Sequence, residues 1–149
     1  GGFGVFDPGI NAFSIATAIF PGGLFVRSAE LSIPENAETP IAAEIDFASD
    51  VADGPLHASL DFRRTEGEEW TIDIRTTDGA SVRLVDGGAR LFLQGEEQRA
   101  EGLGEYPDIY REFVDLIDQR RSSVDVRPLR LVADCYLAAK RRQVEPVQP

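Results

Sequence analysis

Hydrophobic residues follow two different periods along this chain. Over residues 8–20, apolar side chains lie nearly all round a helical wheel, which predicts a buried helix. Pro21-Gly22-Gly23 ends it, because neither residue type readily continues a helix. From Leu24 onward, apolar and polar residues alternate, as in strands with one buried face. The alternating runs cover residues 24–33, 41–48, 56–63, 70–75, 82–84 and 91–93.

Short turn sequences separate several of these strands. They are Asp53-Gly54-Pro55, Glu66-Gly67, Thr77-Asp78-Gly79 and Asp86-Gly87-Gly88. Short loops join antiparallel neighbours, because a parallel crossover needs about a dozen residues or more. The pattern therefore predicts an open, mainly antiparallel sheet of about six strands.

The helical period returns near the end of the chain. After a polar loop over residues 95–105, residues 107–121 predict an amphipathic helix. Pro128 opens a last helix that is expected to run to about Arg142, and residues 144–149 show no periodicity. A helix, a sheet and two further helices predict an α+β fold with the helices on one face of the sheet. We interpret residues 1–149 as one domain.

The composition of the chain limits which partners it can bind and in which cellular compartment it is expected. The net charge is −11 over 149 residues, which argues against nucleic acid and anionic membrane surfaces as partners. No apolar run is long enough to span a membrane. The single cysteine, Cys135, excludes an internal disulfide and fits a reducing compartment, so a cytoplasmic location is expected.

The candidate chemistry lies at the start of the chain, where Asp7 and Asn11 are four residues apart. This spacing places both side chains on one side of a helix, where they can hold a hydroxyl-rich ligand between them. Asp7-Pro8-Gly9 is equally typical of a helix start with Asp7 as the N-cap. The two interpretations are compatible, and both stay open. The glycines around Asp7 permit close approach of the backbone to a ligand or a second domain.

A family resemblance adds to this interpretation. Residues 1–12, GGFGVFDPGINA, resemble the Gly-Gly-Gly…Asp-x-Gly-x-His segment of the glucose-fructose oxidoreductase/inositol dehydrogenase family. Asn11 at the last position of the motif resembles the branch of aldose 1-dehydrogenases that oxidise galactose or arabinose. Residues 105–117 and 127–142 are similar to the two closing helices of the family. The resemblance covers the second half of such an enzyme, so the chain, which has no methionine, is expected to be a fragment without the N-terminal Rossmann domain.

The resemblance implies a function and roles for two residues. The intact enzyme would use NAD or NADP to oxidise the C1 hydroxyl of an aldose such as D-galactose to the lactone. No cofactor is expected on this fragment, which would be inactive alone, because the family's catalytic lysine has no counterpart here. Asp7 takes the place of the active-site carboxylate, and Asn11 takes that of a histidine. A carboxamide orients hydroxyls but cannot accept the alcohol proton. Asp7 would therefore supply position and charge, and would share proton removal with the missing lysine.

The resemblance also implies a homodimer or homotetramer assembled through the free face of the sheet. Two other functions stay open: a non-catalytic oligomerisation module, and an oxidoreductase of the same family that acts on a biliverdin-like or diketone carbonyl. His57, the only histidine, lies mid-strand among polar positions and has no second histidine with which to share a metal. A surface or interface role is expected for it.

Overall fold

The computed structural model describes residues 2–64, 67, 69–99 and 105–147. These residues contain three α-helices and eight strands, joined by turns and loops. The α-helices are α1 (Phe6–Ile19), α2 (Glu105–Asp118) and α3 (Arg127–Ala138). The strands are β1 (Phe25–Pro34), β2 (Ala42–Ala48), β3 (Leu56–Asp61), β4 (Thr71–Arg75), β5 (Ser81–Val85), β6 (Arg90–Leu93), β7 (Glu96–Gln98) and β8 (Lys140–Val144). The α+β class is confirmed.

Two compact units divide these elements. Gly1–Glu68 with Val126–Pro149 form the first unit, and Glu69–Asp125 form the second. Each unit contains one four-stranded sheet. The strands are thus eight in two sheets, rather than about six in one, because hydrophobic alternation marks strands without showing which of them pair.

The first unit is a sheet of order β3-β2-β1-β8 with helices α1 and α3 on one face. The β1/β2 and β2/β3 pairs are antiparallel, whereas β8 pairs with β1 in parallel. The core between the helices and the sheet is apolar and almost free of solvent. Its buried residues are Val5, Phe6, Phe13, Ala29, Leu31, Ala43, Ile45, Phe47, Leu131, Val132 and Cys135.

The end of the last helix was wrongly predicted. α3 stops at Ala138, Ala139 is extended, and Lys140–Val144 form an edge strand instead of a last helical turn. The reason is tertiary: Leu31 and its neighbours in β1 offer an unpaired strand edge, to which Arg141 and the rest of β8 bond in parallel register. Asn36 then holds the tail through two hydrogen bonds, of 2.9 and 3.0 Å, to the backbone of Val147.

The second unit contains an antiparallel meander of order β4-β5-β6-β7. Gln94 and Gly95, with positive φ values of 52° and 84°, form the two-residue turn between β6 and β7. Strand β7 therefore occupies part of the region that was predicted as a polar loop, and residues 100–104 of that loop lie outside the described residues. Helix α2 is amphipathic, as predicted, but it ends at Asp118 rather than at Arg121. No helix in the described part of the chain is long and apolar enough to cross a membrane.

Candidate active site

The segment before α1 is pinned to the body of the first unit. The backbone N–H of Val5 donates to the carbonyl of Pro40 at 2.8 Å, and the Val5 and Phe6 side chains are buried. Gly4 makes this approach possible with a φ of +61°, a value that favours glycine. A Cβ at Gly4 would lie 2.3 Å from the Pro40 carbonyl oxygen. The close approach that the structure shows at Gly4 is to this chain's own loop, and approach to a ligand or a second domain stays a prediction.

Asp7 lies in the first turn of α1, with its side chain exposed. Its Oδ2 atom accepts a 3.1 Å hydrogen bond from the backbone N–H of Phe3. A Cβ at Gly2 would lie only 2.5 Å from the same oxygen, so glycine is needed for this contact. No other hydrogen bond of the Asp7 side chain occurs among the described residues, which leaves Oδ1 for a ligand.

Asp7 is not the N-cap of the helix, and the prediction of that cap was wrong. Val5 occupies the cap position and provides no side-chain hydrogen bond. The helix starts earlier than Asp7-Pro8 indicated because the buried Val5 and Phe6 fix the chain before the proline. Asp7 instead folds its carboxylate back onto Phe3, which fixes it near the helix N-terminus, where negative charge is favourable.

Asn11 follows Asp7 by four residues on α1 and is also exposed. In the part of the chain that the structure describes, its carboxamide forms no hydrogen bond with protein. The helix therefore presents a carboxylate and a carboxamide one turn apart on its exposed side. Both groups are available for ligand hydroxyls, and their role stays a prediction.

The helix that carries these two residues is firmly packed. Phe6 and Phe13 lie with ring centres 6.2 Å apart, and Phe13 meets Phe47 of β2 edge-on at 5.9 Å. On the same helix, a Cβ at Gly9 would lie 2.8 Å from Cδ1 of Leu60 in β3. Such packing favours precise placement of a site, since the residues stand on a rigid element.

Tyr136 on α3 was not recognised from the sequence. Its hydroxyl donates a 2.8 Å hydrogen bond to the carbonyl oxygen of Phe3, and its ring packs on Phe6 with centres 5.3 Å apart. Burial raises the pKa of Tyr136, the negative charge of Asp7 raises it further, and Arg141 opposes both effects. The available signal was a tyrosine at a largely apolar helix position, whose hydroxyl needs a partner.

The other residues considered for chemistry have structural explanations. Burial raises the pKa of Cys135 to about 12, so this thiol is not a reactive group at neutral pH. Among the described residues, no group of three or more His, Cys, Asp or Glu side chains is arranged to hold a metal ion.

An open groove of about 610 Å³ lies in the second unit, and neither predicted site residue lines it. Two of its arginines are paired: Arg83 lies 3.5 Å from Asp73, and Arg90 lies 2.7 Å from Glu97. These ion pairs leave the groove with little net positive charge from either arginine.

His57 joins two carboxylates on the outward face of the first sheet. Its Nδ1 lies 2.9 Å from Asp46 and its Nε2 lies 2.9 Å from Glu44. Ser28 donates to Asp46 at 3.2 Å and Ser59 donates to Glu44 at 2.7 Å. The surface position expected for His57 is confirmed, and both of its ring nitrogens have partners.

This arrangement predicts a small, pH-dependent stabilisation. The hydrogen bond to Asp46 is the main cause of a raised His57 pKa, with Glu44 adding to it against desolvation. Because the folded-state pKa exceeds the unfolded value, the stabilisation is fully present below about pH 6.5 and is lost as pH rises through the folded pKa. We expect His57→Gln to lower the free energy of unfolding by less than about 1 kcal/mol at about pH 5.5, since the side chain is half exposed.

Urea unfolding of both proteins at about pH 5.5 and about pH 8.5 measures this difference. The difference in free energy of unfolding between wild type and His57→Gln should be smaller at the higher pH. An equal gap at both values would show that the charge on His57 does not contribute.

Comparison with known proteins supports the resemblance. No protein-family model matches the chain. Galactose 1-dehydrogenase of Pseudomonas fluorescens is 48% identical over 144 residues, which are 97% of this chain and 47% of that protein. The crystal structure of D-galactose-1-dehydrogenase from Rhizobium etli superposes with a TM-score of 0.89 at 46% identity, over 99% of this chain and 46% of that one.

A more distant structure shows the same fold. KijD10, a 3-ketoreductase from Actinomadura kijaniata in complex with TDP-benzene and NADP, has a TM-score of 0.75 at 10% identity. The match covers 97% of this chain and 49% of that one. The chain thus spans about half the length of the proteins it matches. The predicted resemblance is confirmed: this chain is similar to the galactose 1-dehydrogenases over about half of their length.

Proposed function

We propose that this chain is the substrate-binding and oligomerisation part of an NAD(P)-dependent aldose 1-dehydrogenase. The observation that carries the proposal is the 48% identity to galactose 1-dehydrogenase over 97% of the chain. The exposed pair Asp7 and Asn11 on α1 supplies groups suited to a sugar, since a carboxylate and a carboxamide both bind hydroxyls. An aldose such as D-galactose is the proposed substrate.

The reaction would oxidise C1 of the sugar. NAD(P)⁺, when bound to the intact enzyme, would supply the acceptor for the hydride from C1. The anomeric hydroxyl would lose its proton, so that the products would be the lactone, NAD(P)H and H⁺. Asp7 has one oxygen held by Phe3 and a second oxygen without a hydrogen bond to any described residue, so it is suited to orient the anomeric hydroxyl and to support its loss of a proton. Asn11 is suited to fix further hydroxyls by donating and accepting hydrogen bonds.

The described residues do not fit a dinucleotide site. They contain no glycine-rich turn between a strand and a helix of the kind that holds a pyrophosphate. We therefore assign NAD or NADP to the part of the intact enzyme that has no match in this chain. The isolated chain is expected to bind neither nucleotide tightly and to be inactive alone.

The activity test uses the intact protein with NAD⁺ and NADP⁺ in turn. A panel of D-galactose, L-arabinose, D-fucose and D-glucose is supplied, and reduced nicotinamide is followed by absorbance. We expect reduction that depends on at least one aldose. If no aldose supports reduction with either nucleotide, the proposal is wrong, and reductase activity on a diketone becomes the next assay.

We also propose that copies of the chain associate as a homodimer or homotetramer through the outward face of the first sheet. Its other face is buried by α1 and α3, whereas the outward face carries charges of both signs. Lys140 and Arg142 lie on the edge strand β8, Glu30 lies on β1 beside it, and Glu44 lies on β2, the next strand in the sheet. Two copies related by a twofold axis can place opposite charges together.

Light scattering of the chain tests this assembly. A mass of two or four times 16.3 kDa supports it, and a monomer at micromolar concentration contradicts it. A cytoplasmic location is proposed for the intact enzyme, on the basis of a single buried cysteine without a disulfide.

A further inference from the structure

Tyr136 connects the last helix of the chain to its first residues. The hydroxyl of Tyr136 donates to the carbonyl oxygen of Phe3 at 2.8 Å, across a sequence separation of 133 residues. The same oxygen accepts a second, longer hydrogen bond of 3.3 Å from the backbone N–H of Phe6. The carbonyl of Phe3 is therefore held from two helices, α1 and α3.

Phe3 is held on its other side by Asp7. Its backbone N–H donates to Oδ2 of Asp7 at 3.1 Å, so the Phe3 backbone lies between the tyrosine hydroxyl and the carboxylate. With both its N–H and its C=O engaged, this residue has little freedom to rotate. The Tyr136 hydroxyl is therefore connected to the Asp7 carboxylate by two hydrogen bonds through the backbone of Phe3.

The position of the tyrosine ring helps to keep these two hydrogen bonds in place. The ring packs on Phe6, which is 1% exposed and directly precedes Asp7. Tyr136 itself is partly buried. The negative charge of Asp7 also contributes to the raised pKa of Tyr136.

We propose that Tyr136 is a positioning residue for the active site: through Phe3, it fixes the orientation of the Asp7 carboxylate that binds the substrate. The expected effect of Tyr136 on catalysis rests on the proposed function. The hydrogen bonds that join Tyr136, Phe3 and Asp7 do not depend on that function. A purely structural tyrosine would stabilise the fold without coupling to Asp7.

Tyr136→Phe in the intact enzyme tests the inference, because it keeps the ring and removes only the hydroxyl. We expect kcat/KM for the aldose to fall about tenfold, the effect of losing one hydrogen bond that orders a reacting group. In an Asp7→Asn background, the same change should have almost no further effect. Tyr110→Phe, a hydroxyl removed from an exposed tyrosine on α2, is the control and should leave kcat/KM unchanged.

Hydrogen exchange of residues 2–6, followed by mass spectrometry, gives a second measurement that needs no turnover. We expect exchange to be several-fold faster in Tyr136→Phe than in wild type and in Tyr110→Phe. Unchanged exchange, or kinetic effects of Tyr136→Phe and Asp7→Asn that simply multiply, would overturn the inference. Wild-type protein that oxidises no aldose while exchange responds as expected would refute the proposed function and support the contact.

Discussion

Asp7→Asn in the intact protein is expected to lower kcat/KM for aldose oxidation by about 100- to 1,000-fold, which is the usual effect of removing one preorganised group that acts on developing charge. The substitution keeps the size of the side chain. Its amide oxygen can still accept the hydrogen bond from Phe3. Only the negative charge and its capacity to take a proton are removed. The loss should therefore be mainly in kcat.

Two further variants give this experiment its controls. Asp53→Asn removes another exposed carboxylate, from the loop between β2 and β3, and should leave kcat/KM unchanged. Asn11→Ala should act mainly on KM, because a carboxamide that only orients hydroxyls binds substrate and transition state about equally. Circular dichroism and thermal unfolding show whether each variant is folded. If folded Asp7→Asn keeps a third or more of wild-type activity, the chain is better described as an oligomerisation module.

The relation between sequence and site is clearest at the start of the chain. The motif around Asp7 and Asn11 was visible from spacing, and α1 does place both residues on its exposed side. The contacts that hold Asp7 were not visible. They depend on Gly2 and Phe3 folding back over the helix and on a hydroxyl from Tyr136, far away in sequence. Local patterns predict which residues share a helix face, but not which distant backbone groups meet them.

The same limit applies to the fold. Alternating hydrophobicity predicted β2 and β3 well, because one face of β2 is buried and one face of β3 is partly buried. Strand β8 has four exposed residues in a row, so it lacks alternation, and it exists because the edge of β1 accepts its backbone. Its basic residues, such as Arg141, were interpreted as the end of a helix. Charged residues on an edge strand also discourage pairing with further chains.

Gly4→Ala is expected to destabilise the first unit by about 3 kcal/mol. A φ of +61° costs a residue with a Cβ about 1–2 kcal/mol. The new Cβ would also lie 2.3 Å from the carbonyl oxygen of Pro40, so the backbone has to move. That movement breaks the hydrogen bond from the buried N–H of Val5 to the same oxygen, which costs about 1–2 kcal/mol more. Urea unfolding measures the total.

Gly67→Ala separates the two causes of this loss. Gly67 has a φ of +75°, but a Cβ there would meet no atom of a described residue within 4 Å, so only the conformational cost of about 1 kcal/mol is expected. Gly4→Ala should also reduce activity in the protein that stays folded, because residues 2–5 carry the Phe3 amide that holds Asp7. A loss of stability equal to that of Gly67→Ala would mean that the Pro40 contact is relieved without cost. Since the contact involves two backbone groups rather than a flexible side chain, we expect the larger loss.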